Sequence, residues 1–157
     1  MMFTYNYPRP IVTVDCVILS YRLERVLNVL LIQRADEPFK GFWALPGGFL
    51  EVGTGAPDDQ GEDLPVAAAR ELEEETGLTD VKLHQMFAVG TPGRDSRGRV
   101  ITVVYTGCVD RERKIRAGSD AKLVGWVEVE GIKNGRVELA FDHRKILDMV
   151  LKGVHRG

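Results

Sequence analysis

Between Asp63 and Gly77 the run LPVAAARELEEET describes a helix with both ends marked and four glutamates in five positions near its finish, and it constrains the chain more than any other segment. Asp63 is a capping residue, Pro65 falls in the first turn where its missing N–H is not needed, Ala67, Ala68 and Ala69 favour helix, and Gly77 suits the left-handed residue that closes one. The spacing predicts a helix over Leu64–Thr76. At about 100° per residue, Glu71, Glu74 and Glu75 fall within roughly 100° of one another, while Glu73 points away. They share one face of the last turn, where the negative end of the helix dipole disfavours each anion by about 0.3–1 kcal/mol and like-charge pairs add a few tenths. A cluster that local physics opposes suits a ligand better than it suits stability, and three convergent oxygen ligands with room for water suit Mg²⁺ or Mn²⁺. The charges alone also allow a solvated acidic face on an alanine-rich helix.

The remaining pattern is mostly strand. Residues 12–20 and 26–34 are rich in Val, Ile and Leu and flank a polar turn at 22–25, which predicts a hairpin. Residues 42–50 form an aromatic and apolar run broken by Pro46, Gly47 and Gly48, a tight turn between short strands. The segment GTGAPDDQG at 53–61 consists almost wholly of turn formers and reads as an exposed loop. Further strands are expected at 81–89, 100–109 and 124–129, and an amphipathic helix over 142–151 puts Ile146, Leu147 and Val150 on one face. The sum is an α+β domain, a sheet with few helices.

At 157 residues the chain fits a single domain, residues 1–157, with 44% apolar and 28% charged residues, ordinary for a soluble globular protein. A net charge of −2 gives no general reason to expect nucleic acid or an anionic membrane as partner. No 18-residue apolar stretch exists, and residues 1–10 carry tyrosines and prolines where a signal peptide would be apolar. Cys16 and Cys108 lie in apolar runs without metal or redox spacing and read as buried reduced thiols. A cytoplasmic location follows as the expectation.

The run RELEEETGL at 70–78 resembles the second half of the Nudix box, whose pattern is G-x5-E-x7-R-E-U-x-E-E-x-G-U with U bulky and aliphatic; every specified position of that half matches. Glu62 stands eight residues before Arg70, as the pattern requires, and GGFLEVG at 47–53 resembles the glycine-rich loop that leads into that glutamate. An insertion at 54–61 separates the two; with it removed, Gly48 and Glu62 regain the family spacing. YPRP at 7–10, WALPGGF at 43–49 and AFDH at 140–143 also resemble family segments.

The resemblance implies the Nudix fold, a mixed β-sheet sandwiched between α-helices, and hydrolysis of a phosphoanhydride bond. It implies that Glu71, Glu74 and Glu75 bind Mg²⁺ (Mn²⁺ being possible) with help from the Gly48 carbonyl, that Arg70 and Glu62 tie helix to loop, and that Glu71 or Glu75 orients the attacking water. Some members place a general base on a late loop; the candidate here is Asp120, although Leu123 stands where similar sequences often carry glutamate. Glu51 reads as an outer contact of the metal site or a polar strand end. His143 is assigned no chemistry.

Residues 91–99 bring Arg94, Arg97 and Arg99 onto one loop. Guanidinium forks suit phosphate oxygens, so Arg94 and Arg99 are candidate substrate contacts, a solvated hairpin tip being the alternative. The loop resembles one in Nudix ADP-ribose pyrophosphatases, with Pro92 fourteen residues beyond Leu78. Phe42 and Trp43 are candidate stacking residues for adenine. The leading expectation is a small-molecule nucleotide substrate, ADP-ribose, cleaved to AMP and ribose 5-phosphate by a homodimer. Two alternatives are cleavage of nucleoside triphosphates or of dinucleotides such as NADH and dinucleoside polyphosphates, and an ADP-ribose-sensing regulatory domain. The intact glutamates and the end of the chain at Gly157 speak against the sensor.

Overall fold

A computed structural model describes residues 3–23, 25–118 and 121–154. Its first two strands, β1 (Ile11–Arg22) and β2 (Arg25–Arg34), form the expected hairpin, with Leu19 opposite Val29 and Arg22 opposite Arg25. Farther from the turn they part. β3 (Trp43–Ala44) takes the free edge of β2 at Ile32 and Gln33, and β4 (Gly47–Phe49) takes that of β1 at Thr13, Val14 and Asp15. The two short strands thus pair with different partners rather than with each other. Pro46 between them has no N–H for a hairpin ladder, and its carbonyl accepts from the Cys16 amide at 2.8 Å.

After α1 (Leu64–Thr76) come β5 (His84–Val89), β6 (Val100–Val109), β7 (Ala121–Glu128), a short α2 (Val129–Lys133) and α3 (His143–Val154). β6 runs parallel to β1 from Ile11 opposite Val100 to Ser20 opposite Val109. β5 closes one side of the sheet against β6, and β7 pairs along β2 on the other. The result is a mixed seven-stranded sheet whose central strands are covered on both faces, which is why their sequences are rich in Val, Ile and Leu without a strict polar alternation.

Period-two geometry sorts the side chains of β1. Val17 and Leu19 join Leu45, Ile146, Leu147, Val150 and Leu151 in a cluster toward α3, while Val14, Cys16 and Ile18 join Ala67, Ala68, Leu72 and Leu78 toward α1. Each fully buried Leu, Ile or Val contributes on the order of 1.5–3 kcal/mol. The two layers fix α1 and the start of α3 against opposite faces of β1.

The structure departs from the sequence expectations at element ends. β5 begins at His84 because Val81 and Leu83 pack into the α1 layer, and β7 begins earlier, at Ala121. α2 escaped notice because it is only five residues long and has no side-chain cap. Cys16 is buried as expected, but Cys108 is exposed: the β5–β6 register starts at His84 opposite Thr106, so β6 runs past its neighbour there. No helix among the described residues is long and apolar enough to cross a membrane.

Candidate active site

The helix α1 starts and stops where its sequence dictates. The Asp63 carboxylate accepts from the Leu64 amide at 2.8 Å, and Gly77, at φ 69°, donates its N–H to the Glu73 carbonyl at 2.8 Å. No basic side chain sits in the last turn. Instead the Arg116 and Gly118 amides donate to the carbonyls of Thr76 and Glu75, satisfying acceptors at the negative end of the helix.

Arg70 compensates the acidic face. Its guanidinium donates to both oxygens of Glu62 at 2.6 and 2.9 Å, to Glu71 Oε1 at 2.9 Å, to Glu74 Oε2 at 3.1 Å and to the Phe49 carbonyl at 3.1 Å. These bonds, that to Glu62 first, hold Arg70 more firmly protonated than a free arginine and pull Glu62 below the usual carboxylate range. Glu71 moves the other way, because burial outweighs the pull of Arg70. Glu62 also closes the insertion at its base: its amide donates to the Glu51 carbonyl at 2.9 Å, and its carboxylate accepts from the Glu51 amide at 3.0 Å. The loop resemblance interrupted in sequence is therefore continuous in space.

The glycine turn meets the helix at two points. Glu75 Oε2 accepts from the Gly47 amide at 2.8 Å, and Gly48 packs against the Glu71 carboxylate so closely that a Cβ there would stand 2.7 Å from Oε2. Both carboxylates line a cleft of about 520 Å³ together with Gly48 and Glu51. Glu74 differs, being 58% exposed and turned to Arg70. Among the described residues no three acidic, histidine or cysteine side chains are already closed into a metal cage. The donor chemistry still fits a hard divalent cation: carboxylate oxygens from Glu71 and Glu75 lie against Gly48 and the Gly47 amide respectively, two adjacent glycines whose missing side chains let the turn approach them.

The same cleft is lined by arginines, though not all those expected from the sequence. Arg94 is 4% exposed, and Asp142 holds its fork at 2.7 and 2.9 Å. Arg99 donates to the Gly90 carbonyl and lies outside the cleft lining, as do Phe42 and Trp43. Trp43 packs into the α3 layer and Phe42 edge-on against Phe39. Asp120 lies outside the described residues.

Sequence reasoning passed over Arg34 and Asp15, quoted Phe141 only within the segment at 140–143, and named Arg97 and His143 without a role in the chemistry. The Arg34 and Arg97 guanidinium groups lie 4.9 and 5.2 Å from the centroid of the Phe141 ring, and Arg97 is equally 5.2 Å from Phe49. Arg97 is paired with Asp95 at 2.7 Å, whereas the Arg34 Nε–H donates to the Pro38 carbonyl at 2.7 Å. Burial, then repulsion from Arg97, lowers the Arg34 pKa. Phe141 itself sits at φ 52°, a conformation costly for a bulky side chain. The one available signal was Arg34's place as the first charge after a buried apolar strand.

Seven strands between helices, a glycine turn wedged between diverging strands and a glutamate helix facing it define a class. The NUDIX domain family matches residues 9–150, and the chain belongs to that family, whose members generally use divalent metal ions. It is 35% identical over 142 residues to the ADPR responsive transcriptional repressor NtrR of Acinetobacter baylyi, covering 90% of this chain and 53% of that protein. The chain thus spans about half the length of the repressor. It is 38% identical over 141 residues to the ADP-ribose pyrophosphatase of Methanocaldococcus jannaschii, covering 90% of this chain and 73% of the other. The solved NUDIX domain of Shewanella oneidensis NrtR complexed with ADP ribose matches with a TM-score of 0.81 and 30% identity, covering 94% of this chain and 90% of that one.

Proposed function

We propose that the chain hydrolyses, with Mg²⁺ or Mn²⁺, the phosphoanhydride of a nucleoside diphosphate linked to another group, ADP-ribose first, giving AMP and ribose 5-phosphate. The observation that carries this reading is the meeting of Glu71 and Glu75 with Arg34 and Arg97 in one cleft, acidic groups suited to a cation beside guanidinium groups suited to phosphate oxygens. The likeness to an ADP-ribose pyrophosphatase supports the choice of substrate.

Hydrolysis needs a water aimed at one phosphorus, a leaving phosphate oxygen and neutralisation of the charge between them. Glu71, Glu75 and the Gly48 carbonyl, with Glu74 turning from Arg70, would hold a divalent cation, which would supply charge neutralisation and Lewis-acid activation of water. The protein's own groups do the rest. Arg34 and Arg97 receive the diphosphate oxygens, with Phe141 fixing the plane of each guanidinium. Glu71 or Glu75 orients the water, and Arg70 and Glu62 keep the glycine turn seated on α1. As water adds to phosphorus the bridging P–O bond breaks, and the water's proton passes to solvent or to a carboxylate. A cytoplasmic homodimer belongs to the same reading; the exposed aromatic side chains of Phe3, Tyr5 and Tyr7 support an interface there, tested by light scattering.

The test is a screen of ADP-ribose, NADH, dinucleoside polyphosphates and nucleoside triphosphates with Mg²⁺, comparing native protein with Glu75→Gln. A preference for ADP-ribose that disappears in the variant is expected; native protein inert toward every compound sinks the reading. A second reading, a domain that binds ADP-ribose and regulates without cleaving it, is favoured by the 35% identity to the repressor. Saturable ADP-ribose binding with no AMP released over hours would select it.

A further inference from the structure

A buried polar cluster on the wall of the cleft has no role in the chemistry above. His143, the first residue of α3, is 6% exposed, and its Nδ1 accepts the Leu45 N–H at 3.0 Å. An amide can only donate, so Nδ1 is unprotonated and the ring proton sits on Nε2, 3.6 Å from Asp15 Oδ1. Asp15 is buried, accepts from the Thr102 hydroxyl at 2.6 Å and lies 3.9 Å from Arg94, itself forked onto Asp142. No buried side-chain nitrogen or oxygen among the described residues lacks a partner. Desolvating two carboxylates and a guanidinium gives little net stability, so what such a cluster supplies is position.

The position it supplies is that of the glycine turn. Three consecutive backbone groups there are held from three directions: the Leu45 amide by His143, the Pro46 carbonyl by the Cys16 amide, and the Gly47 amide by the Glu75 carboxylate. Only Pro46 stands between the amide that His143 fixes and the amide that orients Glu75. Asp15 bounds the same turn from below, since a Cβ on Gly47 would stand 2.8 Å from its Oδ1.

We propose that His143, oriented by Asp15, is a positioning residue for Glu75: by fixing the Leu45 amide it fixes the Gly47 N–H that aims the Glu75 carboxylate into the cleft. The inference rests on the hydrolase reading of that carboxylate. It gives α3, which supplies no carboxylate to the acidic cluster, control over the geometry of the metal site through the bond of the ring to the Leu45 amide.

Two near-isosteric substitutions separate the ring's contacts. In His143→Asn the side-chain oxygen takes the place of Nδ1 and keeps the Leu45 bond. In His143→Gln the side chain reaches the Nε2 position, keeping the Asp15 contact and losing the Leu45 bond. We expect His143→Gln and His143→Ala to lose about 10- to 100-fold in kcat on ADP-ribose with KM little changed, as loss of a group that orients a metal ligand does. Their Mn²⁺ affinity, read without substrate from the EPR signal of the free ion, should fall with it, and the Gly47 amide resonance should shift. His143→Asn should retain most of all three. A native-like His143→Gln, or a His143→Asn as impaired as His143→Ala, overturns the proposal. If the native protein cleaves nothing, the hydrolase reading fails while the Mn²⁺ and Gly47 readouts still decide this one. Should His143→Ala misfold, the Asn and Gln variants decide alone.

Discussion

Gly48 lies against the Glu71 carboxylate with no room for a side chain between them, a Cβ there standing 2.6 Å from Cδ and 2.7 Å from Oε2. The backbone of Gly48 is not in the left-handed region, so the need for glycine comes from this contact and not from φ. Gly48→Ala should therefore fold but displace Glu71, lowering kcat and Mn²⁺ affinity by about 10- to 100-fold. Gly131→Ala is the control, because a Cβ there meets nothing closer than 3.8 Å. Steady-state kinetics and a Mn²⁺ titration check both; an unchanged Gly48→Ala would mean that Glu71 is free to move aside.

Arg70 neutralises Glu62 and Glu71, whose side chains are 10% and 13% exposed. Arg70→Gln should cost about 1–3 kcal/mol of stability, reduced from the fully buried case because Arg70 itself is partly exposed. Added Mg²⁺ should recover part of that loss, and EDTA should deepen it, since a cation among the glutamates replaces some of the missing charge. Glu74→Gln, at an exposed partner, should cost less than about 1 kcal/mol while impairing turnover. Urea unfolding with and without Mg²⁺ measures all of these.

His143 gives a pH signature. Burial first, opposed by Asp15 and Asp142 and reinforced by Arg94 and Arg34, lowers its pKa from the ordinary 6.5. The folded state thus disfavours the proton that the unfolded chain accepts. The stability linked to the neutral ring is complete above 6.5 and is lost as pH falls from there through the depressed folded value. Native protein should lose stability across that window, and His143→Asn should lose less. Thermal midpoints from pH 7.5 downward test this; parallel curves would show that the ring titrates normally.

The insertion at 54–61 is expected to be dispensable for hydrolysis. Its bonds are internal: Asp59 accepts from the Thr54 amide at 2.8 Å, the Gly55 amide donates to the Asp59 carbonyl at 3.0 Å, and the Asp59 amide donates to the Ala56 carbonyl at 3.0 Å. The Glu51–Glu62 amide bond lies outside it, and Gly53 adjoins the Gly61 amide. Deleting 54–61 should leave kcat/KM within a few-fold, because shortening a closed surface loop changes its closure entropy only slowly with length. A collapse in activity would assign the insertion to the substrate.

What was legible came from patterns that are local. The capped helix Leu64–Thr76 matches to the residue because Asp63, Pro65 and Gly77 act within one turn of their own positions. β6 at Val100–Val109 was read with the same accuracy because a strand buried along most of its length on both faces is rich in Val, Ile and other β-formers. β3 and β4 were visible as short strands, but not their partners, since pairing depends on where β1 and β2 diverge.

By itself, then, the sequence determined most of the elements and the acidic helix face, set by backbone propensity and short spacings, while the Arg70–Glu62 tie was legible only through the family resemblance. Tertiary structure alone decided which arginines face the cleft and what His143 does. Arg94 and Arg97 are three residues apart on one loop, yet Asp142, 48 positions away, claims the first and leaves the second beside Phe141. His143 meets Leu45 across 98 positions. Such contacts carry no periodicity or local spacing; they exist only because the sheet brings remote segments together and buried polar groups must find partners where they land.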